Sequence, residues 1–249
     1  MIDAIAWKFQ TGLQWVHLLA EYGSWKAVYT RLRNWAITGT WGRVFTALLA
    51  QTEAEGDLDW VVSVDSTIVR APERGRCPSK GAPADEPAHH AIGHSRGGLT
   101  TKIHFAADGR CRPLCFHLTP GQAGDALAFE HVMATLRVPR PVRRPRTRPL
   151  MVLADRAYSS RAIRKHLRRR KIRAVIPQPA DRIANSRRKG RLGGRPPAFD
   201  RGARRQHNTV ERCINRPKNW RALATRYEKT ATVFQAGLHI AGILIWPAR

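Results

Sequence analysis

Two short apolar, β-branched runs, Val-Ser-Val-Asp65 and Val-Leu-Ala-Asp155, each stop on an aspartate, and strand-like and helix-like segments alternate around them. That alternation restricts the larger part of the chain to an α/β domain built on a sheet. Trp60 to Val64 reads as a strand, and Thr100 to Ala107 with Pro113 to Leu118 as a hairpin around Asp108-Gly109. Asp125 to Leu136 reads as a helix, Leu150 to Ala154 as a strand, Ser160 to Arg169 as a helix and Ile172 to Ile176 as a strand. If the strands before the two aspartates are sheet neighbours, their carboxylates converge at one edge, where loops open a site to substrate.

Upstream, Trp25, Val28, Tyr29, Leu32, Trp35 and Ala36 recur at helical spacing behind Ser24 as N-cap; after Gly39, Trp41, Val44, Phe45, Leu48 and Leu49 repeat the pattern behind Thr40. Two short helices and a tight turn suggest a helix-turn-helix, and a small helical bundle gives the same pattern. Lys26, Arg31, Arg33 and Arg43 would lie on or near its polar face, as phosphate contacts or as a solvated surface. The acidic stretch Glu53 to Asp57 marks a boundary between a helical region, 1–52, and an α/β region, 58–246. Met1 to Ala20 lacks the basic and apolar regions of a signal peptide, and Ala231 to Trp246 is too short to span a bilayer comfortably and reads as a buried closing helix.

Against 44 Lys and Arg the chain carries 18 Asp and Glu, a formal net charge of +26 that calls for a polyanion. Nucleic acid fits best, because neutralising phosphates releases condensed counterions. The loops 137–149 and 181–205 are basic and rich in Pro, Gly and polar residues; they are expected to stay mobile until an anion orders them, with solvated linkers as the alternative. Cys77, Cys111, Cys115 and Cys213 lack zinc-site spacing, and Cys111 and Cys115 read as small buried residues facing one way from a strand. Free thiols suit a reducing cytoplasm.

A third acid joins the two aspartates. Glu211 lies in the helix-like run Asn208 to Lys218, with Val210, Cys213 and Ile214 on its apolar side. Three carboxylates suit phosphodiester chemistry, in which two hard divalent cations about 4 Å apart stabilise the attacking and leaving oxygens. Taken singly, Asp65 also reads as a cap or turn residue, Asp155 as a cap on the following helix, and Glu211 as a partner of Arg212 or Asn215.

Asp65-Ser-Thr, the stretch Gly93 to His104, Leu118-Thr-Pro-Gly-Gln-Ala-Gly-Asp125, Asp155-Arg-Ala-Tyr158 and Asn208-Thr-Val-Glu-Arg212, in that order, resemble the DDE transposases of bacterial insertion sequences, specifically the insertion-sequence-five group. The resemblance covers nearly the whole chain. It implies an RNase H-like mixed sheet flanked by helices behind a small helical domain, and Asp65, Asp155 and Glu211 as ligands of two Mg2+ or Mn2+ ions. It also implies hydrolysis at the element's ends followed by transfer of the 3′-OH strand to target DNA. Double-stranded DNA, as terminal inverted repeats and target, is then the partner, a homodimer or larger synaptic oligomer the working form, and the cytoplasm at the nucleoid the location, with no membrane partner. Arg96, Lys102, Arg156 and Lys218 become candidate DNA contacts.

The family's glutamate-helix signature is tyrosine, arginine, glutamate and lysine, and its spacing lands on Arg204, His207, Glu211 and Lys218. His207 grips phosphate fully only when protonated, Arg204 can compensate in part, and Pro217 removes a helical donor just before Lys218. Arg156 stands where the family commonly has lysine, and the resemblance places Met1 inside the amino-terminal domain, after its first helix. These departures keep two other readings open: a DNA-binding remnant without turnover, and a structural RNA-binding protein.

Overall fold

The computed structural model describes residues 1–72, 86–194, 196, 199–200, 202, 213 and 215–247. Three helices come first: α1 (Ile2–Thr11), α2 (Trp25–Ile37) and α3 (Thr40–Ala54). The strands are β1 (Val61–Arg70), β2 (Gly93–Ser95), β3 (Gly98–Ala107), β4 (Pro113–Pro120), β5 (Met151–Ala154) and β6 (Arg173–Val175). Helices α4 (Asp125–Thr135), α5 (Arg161–Arg169), α6 (Ala180–Arg188), α7 (Arg221–Ala224) and α8 (Ala231–Ile245) complete the chain.

β3 pairs antiparallel with β1, β2 and β4, while β5 lies parallel to β1 and β6 parallel to β5. Three long antiparallel strands continued by two short parallel ones, with helices on both faces, form the mixed sheet of an RNase H-like fold. The hairpin expected around Asp108-Gly109 is present. Its loop is held by the Asp108 carboxylate, which accepts from the backbone N–H groups of Arg110 and Arg112 and from the Arg112 guanidinium.

α4 covers one face of the sheet and α8 the other. α8 is apolar around most of its circumference because it is enclosed on several sides, by β4 and by α1, α2 and α3. Its glycines permit the approach: a Cβ at Gly237 would sit 2.4 Å from the Phe9 ring. Residues 53–57 therefore mark a change of secondary structure but not of core, since Phe9, Leu32 and Phe45 share one apolar cluster with Phe116, Phe234 and Leu238. The buried pair Lys8–Glu228, at 2.9 Å, ties α1 to the segment before α8.

Several expectations change. α1 had no sequence prediction. The α2–α3 turn forms at Gly39, in the left-handed region, but Arg43 is committed to it, donating to the Thr38 carbonyl and the Thr40 hydroxyl. The 137–149 segment is pinned by the protein's own carboxylate: Glu53 accepts from Arg140, Arg146 and Trp60, Arg146 stacks 4.1 Å over the Trp60 ring, and Val138 is fully buried. Burial alone would raise the Glu53 pKa, and these donors hold it below the usual range instead. Within 181–205, residues to Arg188 extend α6, an exposed helix, and Gly190–Gly193 form a 3-10 turn. Cys111 occupies a left-handed turn before β4 rather than the strand, though it and Cys115 are both buried. Among the described residues no helix is long and apolar enough to cross a membrane.

Candidate active site at the edge between β1 and β5

The parallel pairing of β1 and β5 ends at Val64 opposite Ala154. Asp65 follows Val64 within β1 and Asp155 follows the last residue of β5, so the two aspartates leave the paired stretch side by side at one edge. β1 does not end there, as the sequence reading had it, because β3 continues to pair with it as far as Arg70. Asp65 is thus mid-strand at the point where β5 stops, and β1 with β3 and β4 extends about 17 Å beyond it as a wall. Arg96 is exposed at the β2–β3 turn on that wall.

Each aspartate has one oxygen fixed by the backbone. Asp65 Oδ1 accepts the Ser66 N–H at 2.7 Å, and Asp155 Oδ1 accepts the Ala157 N–H at 2.8 Å, capping the 3-10 turn Arg156–Tyr158. The capping role read for Asp155 alone is therefore present, although the capped element is this turn, and α5 is capped by Ser160. Capping engages one oxygen and orients the carboxylate, which suits a metal ligand as well as a structural residue.

Strand alternation separates two sides of the site. Asp65 shares a face with its partner Phe105, while Ser66 and its partner His104 face α4. On that second face the Ser66 hydroxyl donates to Asp125 Oδ1 at 2.7 Å, and Lys102 donates to the same oxygen at 2.9 Å and to the Ala123 carbonyl at 2.7 Å. Lys102 is 8 % exposed, so it serves this internal network rather than DNA, which corrects its assignment as a contact. Tyr158 is 1 % exposed, and its hydroxyl lies beside Ser66, whose own proton is directed to Asp125. Burial, then the charges of Asp125, Asp65 and Asp155, push its pKa strongly up, so a neutral hydroxyl lies within electrostatic reach of all three carboxylates.

Arg156 is exposed beside Asp155. Lys218 is half-buried in a small crevice with Pro217, Thr67, Ile103 and Phe105, on the Asp65 face of the sheet. Helical backbone continues through Pro217 to Lys218. Cys213, five residues earlier, is buried against Cys111. Glu211, Arg204 and His207 lie outside the described residues. Among the described residues no three His, Cys, Asp or Glu side chains group as a metal site; the described part brings together two of the three proposed donors. Both are hard oxygen ligands, which fits Mg2+ or Mn2+. Asp125 and Tyr158 were singled out only within longer motifs. An isolated acid opening a helix after Pro-Gly-Gln-Ala-Gly, in a chain so poor in acids, was the signal for Asp125.

Comparison with known proteins places this chain in a family. The model for the "Transposase DDE domain" matches residues 56–246, and that for the "Putative transposase of IS4/5 family" matches residues 1–45. A "Putative transposase for insertion sequence element IS6501" from Brucella ovis is 28% identical over 148 residues, covering 59% of this chain and 98% of that protein. The "Insertion element IS402 uncharacterized 16.2 kDa protein" of Burkholderia cepacia is 36% identical over 78 residues, 30% of this chain and about half (53%) of that protein. Among solved structures, the Mos1 strand transfer complex aligns over 97% of this chain and 75% of that chain at 14% identity, with a TM-score of 0.29. The chain belongs to the DDE-domain transposases of the IS4/5 type.

Proposed function

We propose that this protein cuts the ends of an insertion sequence and joins them to target DNA, with Asp65, Asp155 and Glu211 as the carboxylates of the reaction. The observation that carries the reading is the register of β1 and β5, which sets Asp65 and Asp155 side by side where β5 ends. These two residues, with Glu211, would hold two divalent cations, Mg2+ or Mn2+. When bound, such cations stabilise charge on the attacking and leaving oxygens of a phosphodiester.

The chain's own residues do the rest. The Ser66 and Ala157 amides orient the two aspartates, and the exposed Arg156, next to Asp155, and Arg96, at the β2–β3 turn, bind backbone phosphates. Lys218, Arg204 and His207 on the glutamate segment would grip phosphate beside the carboxylates. In the first step water adds to phosphorus and the bond to the 3′-oxygen breaks, leaving a 3′-hydroxyl. In the second that hydroxyl attacks a target phosphodiester in line, and the target's own 3′-oxygen leaves, so no protein side chain becomes covalently attached. Holding two element ends and a target calls for a dimer or larger assembly, working at the nucleoid in the cytoplasm.

A labelled terminal-repeat duplex with Mn2+ tests the proposal. Nicked and strand-transfer products are expected, and Asp65→Ala and Asp155→Ala should each abolish them. Undiminished product from either variant would refute the assignment, and no product from the unsubstituted protein would leave a DNA-binding remnant.

A further inference from the structure

The segment following Asp155 is the most cationic in the molecule. From Arg156 to Arg173 it carries nine Lys and Arg and no acid, and Arg137 to Arg148 carries six arginines and no acid. The fold uses some of these charges internally. Arg164 donates to the Ile176 carbonyl, Arg170 to the Thr147 carbonyl, Arg173 to the Asp200 carboxylate, and Arg140 and Arg146 to Glu53. The remainder point elsewhere: with Ile163 and Leu167 buried, α5 exposes Arg161, Lys165, Arg168 and Arg169 at i, i+4, i+7 and i+8 on its outer face.

At the end of the helix one cation is crowded by its neighbours. Arg170 binds the 137–148 loop, and besides burial the neighbouring charges of Arg148 and Arg169 hold its pKa below the usual guanidinium value. A free protein gains nothing from such repulsion, and a line of phosphates relieves it. α5 begins six residues after Asp155 and runs about 13 Å away from it, a length that covers about four phosphate levels of one strand when measured along the duplex axis, at about 3.4 Å of axis each.

We infer that the outer face of α5, continued by exposed Arg143, Arg144 and Arg148, is a second DNA-binding surface that holds duplex through its phosphates, independently of sequence and away from the reacting bond. It rests on the transposase reading for the identity of the duplex, and on the α5 geometry for its location. An exposed row of long cationic side chains on a helix that itself carries no Phe, Tyr or Trp suits duplex backbone rather than single-stranded bases.

The test is equilibrium binding of a mixed-sequence duplex of about 30 base pairs, in EDTA, between about 50 and 200 mM salt. Arg161→Gln, Lys165→Gln, Arg168→Gln and Arg169→Gln are combined, since glutamine keeps helix propensity; a second variant changes the three arginines to lysine. Loss of four phosphate contacts should flatten the log–log salt dependence by about 3.6, so the weakening between those salt concentrations shrinks about 150-fold, and the lysine variant should keep the original slope. An unchanged slope in the glutamine variant, with its melting temperature intact, would overturn the proposal. So would loss of duplex RNA binding with DNA binding unaltered, which would assign the face to RNA. Because no metal is present, this result stands apart from the cleavage assay: either proposal can fail alone.

Discussion

His104 gives a pH dependence that can be worked from the structure. It lies on β3, fully buried, with Nε2 against the Thr119 hydroxyl at 2.8 Å and Nδ1 without a partner among the described residues. Burial chiefly, with some opposition from nearby Asp125, pushes its pKa down from 6.5 to about 4. The unfolded chain therefore takes up a proton as pH falls through 6.5 while the folded chain does not, so stability is full above that value and lost between 6.5 and 4. A shift of that size is worth about 3 kcal/mol when fully expressed and about 2 kcal/mol by pH 5. His239, stacked on Phe45 and also held at about 4 by burial, adds in the same direction. Urea unfolding at pH 7.5 and pH 5 should show the loss. His104→Gln, which keeps a partner for Thr119, should reduce it by about 2 kcal/mol, or roughly 4–8 °C in melting temperature. His117 and His166, lowered mainly by burial, add in the same direction, so the difference between wild type and variant isolates His104; Glu53 and Glu86, whose pKa values lie below the usual range, lose their contributions only at lower pH. An equal loss in wild type and variant would refute the reasoning.

Lys8→Met strands Glu228 in the core and should cost about 3–5 kcal/mol, while Lys8→Met with Glu228→Gln should cost less; denaturant midpoints decide. Gly237→Ala drives a methyl into the Phe9 ring and should cost about 1–3 kcal/mol by the same measurement. Tyr158→Phe removes a buried hydroxyl whose polar neighbour is Ser66, so thermal unfolding should show a change of no more than about 1.5 kcal/mol. The same change should weaken Mn2+ dependence of cleavage about tenfold, since the hydroxyl lies within reach of the carboxylates; unchanged metal dependence would remove Tyr158 from the site.

How much of this was legible in the sequence depended on which face a residue takes. The strands leading to Asp65 and Asp155 were readable because β-branched runs mark them, and the pairing of those strands puts the two aspartates at one sheet edge. Lys102 was misassigned because motif spacing does not say that it faces α4 with His104 while Asp65 faces the other way. α1 escaped because Asp3 and Lys8 interrupt its apolar pattern, and burial of Lys8 depends on Glu228, 220 residues away. The 137–149 arginines read as awaiting an anion; the one that orders Arg140 and Arg146 is Glu53, supplied by the end of α3.

The central claim is that Asp65 and Asp155 act together on one metal-dependent reaction. Mn2+ titration followed by electron paramagnetic resonance, with cleavage of a terminal-repeat duplex on the same samples, tests it most directly. The account predicts saturable Mn2+ binding in the unsubstituted protein, with binding weakened and cleavage lost together in Asp65→Asn and in Asp155→Asn. Cleavage that survives either substitution, or Mn2+ binding unaffected by both, would contradict it.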